Sequence, residues 1–443
     1  MMRRLSRNFW FFIALLCPVI PIHFFFEGNW YSLLHSYSLG MVFGIISYCY
    51  FLNALIISAR IPYFDRLYGH DKVIIFHGYL ATAAALFAAA HLYFKRIYFP
   101  ENNLQINVGI AALSLFFSVI AVTVLIMVNN PLHRLKPIAA IKTFFHRTIK
   151  LDYSGLKLFH NLTALASVLM IIHVMMASPT AENNTRLGIM GLWGIAAIGT
   201  YLYHKFIRLI VTAARSLQVT RVVSLNDSVT ELHMCRTKGF KTKHKAGQFG
   251  YFRILSKMCG SEEHPFTISS PPESNELVIT IKNLGDYTSK LNNIETGAKV
   301  LYDGPYGTFT PAESGAPVLF IAGGIGITPF LSILSHWNNV SNRREVTLLW
   351  SARNEEEMTH KNQLEKIAET NPNFRFIPLV TNRDHTILQR QLLDSNFLSH
   401  SLPVPEKCRV YICGPELMRL SAEKALKSIG VKRAHINFEK FSF

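Results

Sequence analysis

Two apolar stretches, residues 73–94 and 153–177, constrain this chain more than anything else in it. Each is long enough to cross a bilayer, since about 20 helical residues span the hydrocarbon. Each also carries two histidines, His77 and His91 on the first, His160 and His173 on the second. An imidazole in hydrocarbon is costly without a partner, so four of them in two helices need an explanation. One explanation is ordinary: the rings hydrogen-bond to backbone or to each other. The other is haem iron. At about 1.5 Å per helical residue, the two histidines of each stretch are separated by roughly 20 Å, so pairing the stretches end for end would stack two haems across the membrane. The angular steps differ, because the first two histidines are 14 positions apart and the second two are 13. At about 100° per residue, a step of 14 returns within roughly 40° of the starting face, whereas a step of 13 misses it by about 140°. The second stretch therefore needs a bulge, a kink or long side-chain reach to aim both rings inward. His146, 14 positions before His160, competes for the role but lies in a basic segment expected outside the membrane.

Further apolar runs at residues 9–26, 38–58, 108–129 and 187–210 bring the expected number of spans to six. The first follows Arg3, Arg4 and Arg7, yet it is too long and too aromatic for a cleaved leader and no small-residue site follows it, so a retained span is expected. Lys and Arg are concentrated at the N-terminus, in the loop with Arg60, Arg66 and Lys72, and between Arg134 and Lys150. The alternate loops hold only Lys95, Arg96 and Arg186. That asymmetry predicts a multi-pass protein of the cell membrane with both termini cytoplasmic. Much of the net charge of +17 follows from this topology and from attraction to anionic lipid, and no nucleic-acid-binding module is visible. The six cysteines form no CxxC pair or metal-spaced cluster, which excludes a disulfide scaffold or a zinc site as an organising element.

From about residue 218 the pattern changes to short alternating strands separated by Gly, Pro, Asn and Ser turns, which predicts an antiparallel β-barrel. From Pro317 apolar strands alternate with helical stretches after Thr328, Asn354, Thr386 and Pro415, which predicts a doubly wound parallel sheet. The expected domains are 1–215, a six-helix transmembrane bundle, 216–312, the barrel, and 313–443, the α/β domain. In the last, a strand runs directly into Gly323, Gly324, Ile325, Gly326, Ile327 and Thr328. Glycines let a phosphate chain approach the backbone, and the following helix N-terminus favours its negative charge. In the barrel, His264, Pro265, Phe266, Thr267, Ile268, Ser269 and Ser270 form one run, an aromatic beside hydroxyls that suits a flavin ring and its reactive nitrogen edge.

Over nearly its full length the chain resembles the transmembrane ferric reductase and NADPH oxidase superfamily, whose soluble part is of the ferredoxin reductase type. The blocks that carry the resemblance are HPFTISSPP at 264–272, LGDYTSKL at 284–291, DGPYGTF at 303–309, AGGIGITPF at 322–330 and YICGPELM at 411–418. The resemblance implies FAD, with His264 near its phosphates, Phe266 beside its ring, Thr267 at its reactive nitrogen, and Gly285 and Thr288 at its pyrophosphate. Where soluble relatives begin the flavin motif with arginine, this chain has His264. The resemblance also implies that Gly323, Gly324, Gly326 and Thr328 hold the nicotinamide nucleotide's phosphates, while Cys413, Gly414 and Pro415 flank the nicotinamide. Arg353 falls where NADPH-preferring relatives place a cation for the 2′-phosphate; on its own it would read as a solvated loop arginine, and NADH stays possible. Relatives place a C-terminal aromatic against the flavin, and Phe441 and Phe443 are both candidates. The family also has histidine pairs on its third and fifth spans with the two spacings seen here.

These parts imply electron transfer from NADPH through FAD to two b-type haems, the inner held by His77 and His160 and the outer by His91 and His173. Dioxygen giving superoxide is the expected final acceptor, with a ferric chelate as the alternative, because the outer loops carry no cluster of metal ligands. No cytosolic activator is expected. A membrane transporter or anchor with a regulatory nucleotide-binding domain is the non-enzymatic rival.

Overall fold

The structure, a computed structural model, describes residues 2–27, 32, 34–127, 153–236, 243–259, 262–313, 315–340, 344–381, 397–399 and 407–439. It divides into two units, Met1–Leu209 and Ile210–Phe443.

The first unit is helical: α1 (Met2–Leu16), α2 (Val19–Phe26), α3 (Ser36–Ser58), α4 (Pro62–Tyr68), α5 (His70–Tyr98), α6 (Leu104–Val122), α7 (Tyr153–His160), α8 (Leu162–Met176), α9 (Ser178–Ala181), α10 (Asn184–Leu202) and α11 (Arg208–Ala214), the last crossing into the second unit. Among the described residues, five stretches are long and apolar enough to cross a membrane: Phe9–Phe26, Ser36–Ser58, Lys72–Tyr98, Leu104–Leu125 and Gly155–Met176. The expected sixth, residues 187–210, is helical over most of its length but falls outside that set. Its glycines Gly188, Gly191, Gly194 and Gly199 dilute its hydropathy. At least one serves close packing, because a Cβ on Gly194 would lie 3.2 Å from both Ile171 and the Tyr48 hydroxyl. That hydroxyl donates to the Met190 carbonyl at 2.7 Å, tying α3 to α10. Between α3 and α6, Phe51 and Phe116 stack with ring centroids 3.8 Å apart. The expected irregularity in the histidine-bearing stretch is a break at Asn161, which separates α7 from α8 immediately after His160.

In the second unit, β1 (Leu217–Asn226), β2 (Val229–Arg236), β3 (Phe249–Leu255), β4 (Glu263–Thr267), β5 (Leu277–Lys282) and β6 (Lys299–Tyr306) form an antiparallel sheet in the order β4-β3-β6-β1-β2-β5. This corrects the expected closed barrel. Among the described residues the sheet is not closed by a continuous ladder: its two edges meet at one bridge, Ile268 to Ile279, at the Ser269 N–H to Val278 carbonyl bond and through the side chains of Ser269 and Ser270. Beyond Ser270 the chain runs into Pro271 and Pro272, which have no N–H to extend a ladder. The core of this sheet includes Leu232, Phe252, Ile254, Ile279 and Val300.

The parallel sheet comprises β7 (Val318–Gly323), β8 (Val346–Ala352), β9 (Phe374–Val380), β10 (Arg409–Cys413) and β11 (Ile436–Glu439), in the order β11-β10-β7-β8-β9. Its crossovers include α12 (Thr328–Asn339), α13 (Lys361–Thr370) and α14 (Glu416–Ser428), while the helix expected after Thr386 lies outside the described residues. All six residues of β7 are buried, as a strand covered on both faces requires. One face packs Phe320, Phe330, Trp337 and Trp350, the other Leu319, Leu349, Ile412 and Leu426. The chain winds outward from β7 through β8 to β9, then returns to the opposite side of β7 as β10. The strand order therefore reverses between β7 and β10, where open α/β sheets hold their ligands beyond the strand C-termini.

Candidate functional site

At that reversal the two sequence motifs meet backbone to backbone. Gly323 ends β7 and Cys413 ends β10, and Cys413 is registered beside Ala322. A Cβ on Gly326 would fall on the Cys413 carbonyl and 3.0 Å from the Gly414 nitrogen, and one on Gly323 would lie 2.7 Å from Pro415 and 2.8 Å from the Met418 sulfur. Only hydrogen fits in these places. Gly324 has φ +54°, and its carbonyl accepts from the Trp350 indole at 2.9 Å, fixing the turn over β8. The turn delivers the chain into α12, where Thr328 is buried and Pro329 occupies a first-turn position whose N–H has no intrahelical partner in any case. A helix N-terminus of this kind favours an anion beyond its end. Burial pushes the Cys413 thiol well above its ordinary pKa, so it is a neutral, compact group at the crevice. Arg353, just past β8, is exposed; its backbone N–H donates to Glu357 at 3.2 Å, and Glu357 pairs with Lys282 of β5 at 2.9 Å.

The flavin motif lies along β4 and the turn after it. The His264 ring stacks on Tyr287 at 3.8 Å, so the HPFT and GDYT blocks converge from different parts of the sheet. Phe266 lies beside His264 at 6.4 Å between ring centroids. Pro265 is registered opposite Tyr251 of β3. Thr267 is 4% exposed, and its hydroxyl makes no hydrogen bond to protein. An orphaned buried hydroxyl is uncommon, and it fits a polar edge of a bound group. Ser269 and Ser270 are engaged internally: Ser269 Oγ donates to the Val278 carbonyl at 3.0 Å, and Ser270 Oγ accepts from the Val278 N–H at 3.0 Å. Thr288 Oγ1 accepts from the N–H groups of Leu284 and Gly285 at 2.9 and 3.1 Å, folding this loop, and a Cβ on Gly285 would meet open space. The two domains are stitched at the site, because Ser332 on α12 donates to the Ser270 carbonyl at 2.7 Å. Tyr287 and Ser332 are not marked by the sequence pattern, although Tyr287 stands inside the LGDYTSKL block. Phe441 and Phe443 lie outside the described residues.

In the helical unit the four histidines meet in pairs. His77 and His160 have ring centroids 6.2 Å apart, and His91 and His173 are 6.3 Å apart. Three of the rings use Nδ1 on a backbone carbonyl: His77 on Ala54 at 2.9 Å, His91 on Gly40 at 2.7 Å, and His173 on Gln105 at 2.8 Å. A ring that donates from Nδ1 keeps its lone pair on Nε2, the tautomer that ligates metal. Two imidazoles on opposite sides of one metal, with metal–nitrogen bonds of about 2.0–2.1 Å, have centroids about 6 Å apart. A cavity of about 330 Å³ reaches the His91–His173 pair, with Lys95, Arg96 and Arg186 among its lining. Arg186 is committed to the backbone, donating to Phe24, Phe25, Glu27 and Pro179 carbonyls. Among the described residues no three His, Cys, Asp or Glu side chains gather as a metal cluster.

Comparison with known proteins addresses the second unit. Residues 214–310 match the FAD-binding domain family and residues 320–424 the oxidoreductase NAD-binding domain family. The chain is 28% identical over 214 residues to the F component of the Na(+)-translocating NADH-quinone reductase of Klebsiella pneumoniae and 25% identical to that of Yersinia enterocolitica, in each case over 44% of this chain and 52% of the relative. It thus spans about half the length of these curated relatives. Among solved structures, it is similar to a ferredoxin NADP+ reductase from Neisseria gonorrhoeae with bound FAD and NADP (22% identity, 51% of this chain and 97% of that one, TM-score 0.44). A second is the flavohaem-like FAD/NAD-binding domain of nitric oxide dioxygenase from Vibrio cholerae (22% identity, 51% and 98%, TM-score 0.44). Residues 214–310 are accordingly an FAD-binding domain and residues 320–424 an oxidoreductase NAD-binding domain, and the chain is an oxidoreductase.

Proposed function

We propose that this oxidoreductase moves electrons from NADPH through FAD and two b-type haems to an acceptor on the far side of the cell membrane, both termini being cytoplasmic. The observation behind the membrane path is the geometry of the two histidine pairs, with ring centroids 6.2 and 6.3 Å apart and Nδ1 of three rings on a backbone carbonyl, which leaves Nε2 to face a metal. The domain seams proposed are 1–215 for haem, 216–312 for FAD and 313–443 for the nicotinamide nucleotide.

FAD supplies acceptance of a hydride and release of its two electrons one at a time, and haem iron supplies single-electron passage. The chain's own residues do the rest. His77 with His160 would ligate the inner iron, and His91 with His173 the outer; held by two imidazoles, each iron would pass electrons without itself binding the acceptor. Thr267 would give its unpartnered hydroxyl to the reactive nitrogen edge of the flavin, His264 and Tyr287 would flank the phosphate side, and Gly285 and Thr288 would hold the pyrophosphate. The glycine turn and the α12 N-terminus would bind the nucleotide phosphates, Cys413, Gly414 and Pro415 would bound the nicotinamide, and exposed Arg353 supports a 2′-phosphate and hence NADPH.

Dioxygen giving superoxide is the acceptor we favour, because the sequence of the short outer loops carries no cluster of acidic or sulfur metal ligands. Purified full-length protein with FAD and NADPH, and no added activator, is to be offered dioxygen, a ferric chelate and a short-chain quinone. Superoxide-dismutase-sensitive dye reduction supports the oxidase reading. Haem oxidation by ferric chelate or quinone but not by oxygen replaces it with the corresponding reductase. Individual replacement of His77, His91, His160 and His173 should remove haem absorbance; retention of the full haem spectrum in all four variants overturns the ligand assignment.

A further inference from the structure

The two histidine pairs are not equivalent. The outer rings each dock on the same small device, one on α3 and one on α6. His91 Nδ1 bonds the Gly40 carbonyl, and four residues on, Gly44 lies under the ring: a Cβ there would be 2.8 Å from Nδ1, 3.0 Å from Cε1 and 3.3 Å from Cγ. His173 Nδ1 bonds the Gln105 carbonyl, and four residues on, a Cβ at Gly109 would be 2.5, 2.7 and 3.0 Å from the same three atoms. A carbonyl fixes one ring nitrogen and a missing side chain one helical turn away admits the flat of the ring, so both position and plane are set. Among the described residues His77 has no such notch: it bonds the Ala54 carbonyl, the residue four positions on is Ser58, and no glycine Cβ would meet the His77 or His160 ring. The planes differ correspondingly, by 77° in the outer pair and 34° in the inner.

We infer that Gly44 and Gly109 are positioning residues that hold the outer axial imidazoles crossed, making the outer haem electronically distinct from the inner. This rests on the haem reading of the histidine pairs. Each axial imidazole donates π density to the iron orbital perpendicular to its plane. Near-parallel planes act on one orbital and split the pair, giving a rhombic low-spin ferric signal; crossed planes act on both, leave them nearly degenerate and give one dominant, large g value. Ligand orientation is thus a lever the protein holds over the iron.

The test is low-temperature electron paramagnetic resonance of the oxidised full-length protein, with haem quantified by pyridine haemochromogen. The wild type should show one strongly anisotropic and one rhombic low-spin signal in equal amounts. Gly44→Ala and Gly109→Ala should shift or delete the anisotropic signal alone. Gly78→Ala and Gly188→Ala, where a Cβ meets nothing within 4 Å, should change neither. Two rhombic signals in the wild type, or an unchanged anisotropic signal in both cradle variants, overturns the inference while leaving the haems in place. Absence of haem in the wild type overturns the haem reading itself.

Discussion

Replacing Gly326 by alanine is the sharpest perturbation of the nucleotide site. The new Cβ would be 2.7 Å from the Cys413 carbonyl carbon, whereas ordinary contact begins at 3.4 Å, so the two turns must part by at least 3.4 − 2.7 = 0.7 Å. Neither side gives way easily, because both are backbone at the ends of adjacent central strands and Cys413 is 0% exposed. A misplacement near 1 Å between reacting groups slows a reaction by about 10²-fold. That corresponds to about 2.7 kcal/mol of transition-state stabilisation. The assay is anaerobic stopped-flow reduction of the bound flavin by NADPH, read at the flavin absorbance band. FAD content should be unchanged, since the flavin motif lies on the other sheet, and the loss should appear in the limiting rate of flavin reduction. A rate within about threefold of wild type, in a protein that keeps its FAD, refutes the claim that this backbone contact sets the nicotinamide position.

Thr267→Val should keep FAD bound and slow flavin reduction by about 10-fold or more, with Thr267→Ser restoring most of it, because the residue offers one unpartnered hydroxyl; equal rates in the Val variant and wild type would contradict the role. Arg353→Gln should raise KM for NADPH by about 10-fold while leaving NADH unchanged, since a cation on a phosphate is worth about 1.4 kcal/mol or more; parallel changes for both nucleotides would remove Arg353 from the site. Burial raises the Glu357 pKa, but hydrogen bonds from Lys282 and the Arg353 N–H outweigh it, and the net shift is downward. A folded pKa below the unfolded value contributes stability that is present above about pH 4.3 and lost as pH falls through the folded pKa. Lys282→Met should therefore move acid unfolding of the flavoprotein to higher pH and remove about 1 kcal/mol at neutral pH, checked by thermal melts from pH 3 to 7; identical acid profiles would show that the pair contributes nothing.

What was legible in the sequence is what backbone chemistry forces. Gly323, Gly324 and Gly326 stand out because a turn at Gly324, side chains packed on Gly323 and backbone packed on Gly326 exclude a side chain there, and the all-apolar β7 reads as a doubly covered strand. The 13-residue step between His160 and His173 required an irregular helix, and Asn161 interrupts it. Other features depend on partners distant in sequence. Ser269 and Ser270 looked available to a flavin, but their hydroxyls are engaged with Val278 across the sheet. Tyr287 matters because it stacks on His264, 23 positions away in sequence, and nothing local in its own block announces that contact. Gly44 and Gly109 lie in no motif, because the rings they admit come from helices distant in sequence. The barrel was over-read because alternation reports strands without reporting closure, and the two prolines after Ser270 end the edge. The sixth expected span, residues 187–210, is helical over most of its length and lies outside the five described stretches that are long and apolar enough by themselves.

The central claim, that electrons delivered as hydride to the second unit leave one at a time through the paired histidines, is tested most directly by anaerobic rapid mixing of the purified protein with NADPH, following flavin and haem bands together. The account predicts flavin bleaching, then a haem absorbance change of two irons per chain that disappears when His77 and His91 are replaced. Flavin that bleaches and stays reduced in a protein with no haem band, or beside haem that never changes, would contradict it.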